Sequence, residues 1–152
     1  MSLKIKYVHT NIVAKNWKKL ADFYINVFGC PVIPPIRNSS GNDLDSAVNI
    51  KNVVLNGVHL LLPGYNKTGP TLEIFSYNPP LKKQNRKVNT PGITHIAFEV
   101  NDVNKVYKKV LKNGGKKVGK IITLTRSDGK EVTWCYVKDP EGNMIELQKW
   151  DK

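Results

Sequence analysis

Tyr7-Val8-His9-Thr10-Asn11-Ile12-Val13 and Gly92-Ile93-Thr94-His95-Ile96-Ala97-Phe98-Glu99-Val100 decide the fold, because the second stretch repeats the first. Each alternates side chains as a strand does and carries one His. An amphipathic stretch follows each. Asn16 to Phe28 places Trp17, Leu20, Phe23, Tyr24 and Phe28 near helical spacing; Gly29 ends it and Pro31 blocks continuation. In the second copy Val103, Val106, Tyr107, Val110 and Leu111 recur at helical spacing, Asp102 is a candidate N-cap, and Gly114-Gly115 stops the helix. Tyr24 and Val27 stand at one and the same offset from Tyr107 and Val110, and Thr71-Leu72-Glu73-Ile74-Phe75 resembles Met144-Ile145-Glu146-Leu147-Gln148. A repeat of this kind means that one supersecondary unit is used twice.

Between helix and last strand each half has further strand-like runs. Val53 to Leu55 and Val58 to Leu62 flank Asn56-Gly57, which reads either as a hairpin turn or as a bulge in one long strand. Pro34 to Ser46, rich in Pro, Ser, Asn, Asp and Gly, is the expected insertion of the first half. Lys117 to Thr125 and Glu131 to Val137 flank the turn Ser127-Asp128-Gly129-Lys130, and Asp139-Pro140-Glu141-Gly142-Asn143 turns the chain into its last strand. The fold class is therefore α+β, two tandem βαβββ modules at about 3–77 and 92–150 with a linker at 78–91, within a single domain spanning 1–152.

Composition agrees with a folded domain. Hydrophobic residues make up 40% and charged residues 24% of 152 residues, too apolar for wholesale disorder. Apolar runs are short, far below the roughly 20 residues of a bilayer span, so no membrane partner is expected. No charged segment leads into an apolar one, so no secretory leader is expected, and Cys30 and Cys135, far apart and outside any CxxC, read as free thiols in the cytoplasm. A net charge of +12 admits an anionic partner. The basic residues are scattered and almost all Lys, and the densest cluster, Lys82-Lys83-Gln84-Asn85-Arg86-Lys87, has no interleaved aromatics. A nucleic-acid partner is therefore not expected.

Strand parity sorts the chemistry. Leu72 and Ile74, then Ile145 and Leu147, point to one face, Glu73 and Glu146 to the other; Ile96 and Phe98 likewise separate from His95, and Thr10 and Ile12 from His9. The apolar set packs under a helix, which leaves two His and two Glu on the opposite, open faces. Imidazole nitrogen and carboxylate oxygen suit a divalent transition metal, and two carboxylates balance its charge. Ordinary strand histidines and solvated glutamates are the plain alternative for any one of these residues; their matching positions in a repeat favour the metal.

With those residues in view, the chain resembles the vicinal oxygen chelate (glyoxalase/bleomycin resistance/dioxygenase) superfamily over nearly its whole length. The motifs are His9 with Asp22-Phe23-Tyr24 and Val27-Phe28-Gly29, the strand around Glu73, Gly92 to Phe98, and most specifically Tyr136 to Leu147. The resemblance implies modules forming a cupped mixed sheet with helices on its outer face, and His9, Glu73, His95 and Glu146 as ligands of a divalent metal ion, Ni or Co favoured, with Zn, Mn or Fe as others. His/Glu/His/Glu looks most like glyoxalase I (lactoylglutathione lyase-like) proteins. That implies a metal-dependent lyase or isomerase, transferring a proton through a metal-stabilised enediolate on a small oxygen-chelating substrate such as a thiol hemithioacetal. Glu146 would be the main base and Glu73 its opposite number. The alternatives are an acyl-CoA thioester epimerase, whose relatives usually have Gln at the position of Glu73, and a non-catalytic small-molecule binding or drug-resistance protein.

Val13 stands where glyoxalase I proteins usually carry an Arg, and Asn143 where they often have an aromatic residue; both weigh against glutathione. Asn11, Arg37, Trp134 and Tyr136 are candidate substrate-binding residues, with Arg126 a further anion anchor. His59 reads as a packed or surface strand residue. A small-molecule substrate, an anionic one among the options, and a homodimer are the expected partners.

Overall fold

The computed structural model describes residues 3–151. The chain divides into two compact units, with the division between Lys82 and Lys83. The first unit runs β1 (His9–Val13), α1 (Trp17–Phe28), β2 (Val32–Ser40), α2 (Asn42–Val48), β3 (Val54–Leu61) and β4 (Thr71–Asn78). The second runs β5 (His95–Glu99), α3 (Val103–Lys112), β6 (Lys116–Lys117), β7 (Ile122–Thr125), β8 (Glu131–Lys138) and β9 (Met144–Trp150). Each unit forms one mixed sheet, in the order β1-β4-β3-β2 in the first and β5-β9-β8-β6 in the second, where β7 also pairs with β8. In both, the opening strand runs parallel to the last strand and the remaining pairs are antiparallel. This is an α+β fold built on repeated βαβββ units.

Helix α1 forms because its apolar side chains share one face: Leu20, Ala21, Phe23, Tyr24 and Val27 are buried, and the helix packs against β3 and β4. Asn16 starts it by accepting a hydrogen bond from the Lys19 amide at 3.0 Å. Gly29 ends it in the left-handed region at φ 70°, with its amide bonded to the Ile25 carbonyl, a conformation that costs a glycine nothing. In α3 Asp102 plays the capping part, accepting from the Lys105 amide at 2.9 Å. Val103 and Val110 are its buried residues, against β8 and β9. Leu111, which helical spacing assigns to the same stripe, is 40% exposed.

The helix-facing side of each sheet is the core. Leu60, Leu72 and Ile74 close it in the first unit, Val137, Ile145 and Leu147 in the second, all fully buried. At about 25 cal/mol per Å² of apolar surface, such residues supply most of the drive to fold.

Two expectations need correction. Asn56-Gly57 is neither a hairpin turn nor a bulge: β3 pairs with β4 residue by residue from Val54↔Asn78 to Leu61↔Thr71. Gly57 is there because Phe75 lies over it; a Cβ would meet Phe75 Cδ1 at 2.3 Å and the Ile74 carbonyl at 2.2 Å. The irregularity sits in β2, between Ile33 and Arg37. The expected insertion at 34–46 falls in β2 and the start of α2, a helix with no counterpart in the second unit. Lys117 to Thr125 is not one strand but breaks into β6 and β7, which pair with different ends of β8. The turn at Ser127–Lys130 joins β7 to β8, with Gly129 at φ 79° and its amide bonded to the Arg126 carbonyl.

Candidate active site

Each module places one His and one Glu side by side on the face of its sheet away from the helix. In the first, β1 and β4 are parallel neighbours in the register His9↔Thr71 and Asn11↔Glu73, so His9 and Glu73 lie two residues apart along adjacent strands. His9 Nδ1 is 3.5 Å from Glu73 Oε1. In the second, β5 and β9 repeat the register, His95↔Met144 and Ala97↔Glu146, and His95 Nε2 is 3.1 Å from Glu146 Oε2. The imidazoles stand further into solvent than the carboxylates: side-chain exposures are 43% for His9 against 10% for Glu73, and 30% for His95 against 18% for Glu146.

His59 is the packed strand residue that the sequence suggested, half-buried on β3, and it lies beside Glu73. His59 pairs with Glu73 across β3 and β4, and its Nε2 lies 3.1 Å from Glu73 Oε1. The Asn11 amide donates to the other oxygen, Oε2, at 3.3 Å. Glu73 is thus a buried carboxylate with polar neighbours on both oxygens, as a buried charge requires. Burial lowers the His59 pKa below its ordinary value; the charges of Arg37 and His9 push the same way, and Glu73 opposes them. Strand parity carried the signal for His59, but with Asn56-Gly57 open between a turn and a bulge the register stayed open too.

At the equivalent place in the second module stands Tyr136, paired with Glu146 across β8 and β9. Its hydroxyl is hydrogen-bonded to the Glu146 carboxylate; burial first, then that carboxylate's charge and hydrogen bond, raise the phenol's pKa. Trp134 packs edge-on to Tyr136 at 5.1 Å between ring centroids, and Tyr136 lies 5.2 Å from the His95 ring. These two aromatics share the open face with the His–Glu pair.

The other candidates divide. Arg37 is half-buried on β2 opposite Gly57, bonded to the Pro35 carbonyl at 2.5 Å, and close enough to His59 to act on its charge. Arg126 is used locally, over the Trp150 ring and 3.6 Å from Asp128. Asn143 belongs to the last turn: its amide donates to Asp139, and its side-chain oxygen accepts from Lys83. Cys30 and Cys135 are free and buried, and desolvation pushes both thiols up to about 11, with the Glu146 charge a lesser contribution at Cys135, so neither is a nucleophile near neutral pH.

The donors fit a divalent transition metal in kind: imidazole nitrogen and carboxylate oxygen, one of each per module. Among the described residues no group of three or more His, Cys, Asp or Glu side chains is arranged to hold a metal ion. What each module presents is a two-donor half-site.

A βαβββ unit used twice, with a His–Glu half-site at the same place in both, defines a paired-module oxygen-chelate type of protein. The Glyoxalase/Bleomycin resistance protein/Dioxygenase superfamily profile matches residues 6–147, and the chain belongs to that superfamily. It is 26% identical over 145 residues to the mitochondrial methylmalonyl-CoA epimerase of Dictyostelium discoideum, covering 95% of this chain and 78% of that protein. A glyoxalase family protein from Bacillus cereus has the same fold, with a TM-score of 0.78 at 17% identity over 100% of this chain and 97% of the other. A glyoxalase/bleomycin resistance/dioxygenase domain from Frankia matches with a TM-score of 0.60 at 12% identity, covering 100% of this chain and 95% of that one. No helix among the described residues is long and apolar enough to cross a membrane.

Proposed function

We propose that this chain is a metal-dependent enzyme that moves a proton on the carbon beside a thioester carbonyl, an epimerase of an acyl-CoA. The observation that carries the reading is the repeated half-site, His9 with Glu73 and His95 with Glu146, at matching registers of two sheets. The likeness to a methylmalonyl-CoA epimerase supports the choice of substrate class. A glyoxalase I-type lyase acting on a hemithioacetal is the second reading, favoured by Glu rather than Gln at position 73.

His9, Glu73, His95 and Glu146 are the residues that would hold the cation, Ni or Co before Zn, Mn or Fe. When bound, a divalent cation stabilises negative charge developing on a carbonyl oxygen as the neighbouring carbon loses its proton. Glu146 is the main base. Its neighbour on β5 is Ala97, whose side chain offers no hydrogen bond at the place where Asn11 donates to Glu73. The Tyr136 hydroxyl donates to the same carboxylate and steadies it. Inversion needs a second acid–base group to return the proton, and Glu73 is the other carboxylate of the proposed set. Trp134 and Tyr136 line the approach to Glu146 with apolar surface, and Arg37 and Asn11 are the substrate-facing polar groups of the first module. The protein works as a homodimer in the cytoplasm, where its two free thiols stay reduced.

Two measurements test the proposal. Metal content by mass spectrometry should give about one transition metal per chain, lost in His95→Ala. Methylmalonyl-CoA incubated with the enzyme in D2O should gain one deuterium at C2 faster than without it. Metal without exchange, but with turnover of a hemithioacetal, would transfer the assignment to the lyase. Neither metal nor exchange would leave a non-catalytic binding protein.

A further inference from the structure

We propose that His59 is a positioning residue for Glu73: donating from Nε2 to Oε1, it turns the Glu73 carboxylate into the orientation in which it serves as a ligand. The inference rests on the metal-dependent reading above. Three observations carry it. His59 and Glu73 are direct cross-strand partners on β3 and β4, so their side chains leave the sheet on the same face at the same level. The contact, 3.1 Å from Nε2 to Oε1, is within hydrogen-bonding range and shorter than the 3.5 Å from His9 Nδ1 to the same oxygen. The second oxygen, Oε2, is held separately by Asn11 at 3.3 Å. With a neighbour at each oxygen, the plane of the carboxylate is set by the protein before any ligand arrives.

The chemistry gives His59 a different part from His9. A carboxylate oxygen is an acceptor, so the ring nitrogen facing it donates, and Nε2 therefore carries the hydrogen. An imidazole in that state has its lone pair on Nδ1, turned away from Glu73, and it supports a ligand instead of being one. Such supporting partners fix ligand orientation, and losing one typically weakens metal binding about 10–100-fold. His59 itself is held in place by Phe75, whose ring centroid is 5.6 Å from its own, and by the uninterrupted pairing of β3 with β4.

The test compares wild type, His59→Ala and His59→Gln, titrated with Co(II) and followed by its visible absorption. Gln keeps a side-chain N–H near Glu73 without the imidazole. His59→Ala should bind Co(II) about 10–100-fold more weakly, and His59→Gln should recover most of the affinity with the wild-type absorption bands. Wild-type affinity in His59→Ala would overturn the proposal. So would weak binding with altered bands in His59→Gln, the mark of a direct ligand. A second measurement does not depend on metal: long-range 1H–15N spectra of the metal-free protein should show His59 in the Nε2–H form, with its nitrogen signals moving in Glu73→Gln. The Nδ1–H form, or signals indifferent to Glu73→Gln, would overturn the positioning role. If wild type binds no Co(II) while these spectra come out as expected, the metal-dependent reading fails and the orienting contact stands.

Discussion

The two half-sites share a register and differ in what surrounds the carboxylate. Opposite Glu73 stand Asn11 on β1 and His59 on β3; opposite Glu146, at the same two places, stand Ala97 on β5 and Tyr136 on β8. Two residues further along, on the same face, the first module puts Gly57 against Phe75 and the second puts Trp134 against Gln148. Both modules thus spend one aromatic there, on opposite strands of the pair. Glu73 has a polar neighbour at each oxygen, Asn11 and His59; beside Glu146 stand His95 and a phenol, with Ala97 where the first module has Asn11. On the proposed function this difference assigns the main proton transfer to Glu146 and leaves Glu73 the more firmly held carboxylate. A duplicated frame supplies two similar donors, and four side chains make them unequal.

The largest expected effect breaks or keeps that assignment. Glu146→Gln should lower kcat by about 10²–10⁴-fold, the usual worth of a general base, while Glu73→Gln costs less in kcat and more in metal affinity. Steady-state rates and metal titration on both variants decide it; equal losses would make the two carboxylates equivalent.

Next comes the glycine. Gly57→Ala sets a methyl group against the Phe75 ring and the Ile74 carbonyl and should destabilise by about 1–3 kcal/mol, measured by denaturant unfolding. An unchanged midpoint would show that Phe75 has room to move and that the two aromatic arrangements are interchangeable.

Smaller again is the conversion of one half-site toward the other. Ala97→Asn gives Glu146 the neighbour that Glu73 has. A net hydrogen bond of about 1 kcal/mol predicts a several-fold fall in kcat with little change in metal affinity. A rate at or above wild type would mean that the Ala97 side of Glu146 is not used.

The last comparison concerns the thiols, where the modules agree and where nothing changes near neutral pH. In the folded protein Cys30 and Cys135 are both raised from 9.0 to about 11, so their neutral forms favour the fold. The unfolded chain releases these protons first as pH climbs. The contribution is complete below pH 9 and is lost as pH rises toward 11, and unfolding curves across that range should show stability falling. A thiol reagent at pH 8 should label neither cysteine while the fold is intact, and the module that opens first will be labelled first.

Most of the fold was legible because it is written twice. Tyr24 and Tyr107, Val27 and Val110, Glu73 and Glu146 stand at matching places, and alternation put His9 and His95 on the faces opposite Ile12 and Phe98. Helix α2 was not legible: none of its residues is buried, so it has no apolar stripe to read. The place of His59 beside Glu73 depends on the register of β3 against β4, which the sequence left open at Asn56-Gly57. Asn56-Gly57 has the local form of a turn, and the reason for that glycine lies on another strand, in the Phe75 ring. Local chemistry reads out helices and caps; the partner of a carboxylate is decided by register.

The parallel pairing of β1 with β4 carries a kinetic consequence. Asn11 and Glu73 are 62 residues apart in the chain, and every element of the first module lies between them. Closing so long a loop draws on chain entropy that only the finished sheet returns. The half-site should therefore be among the last features to form, after the β3–β4 hairpin and the docking of α1. Until β4 leaves the ribosome, β1 has no strand to lie against. The His and the Glu become neighbours only in a module that is already whole, so a nascent or truncated chain has no such pair to offer a ligand.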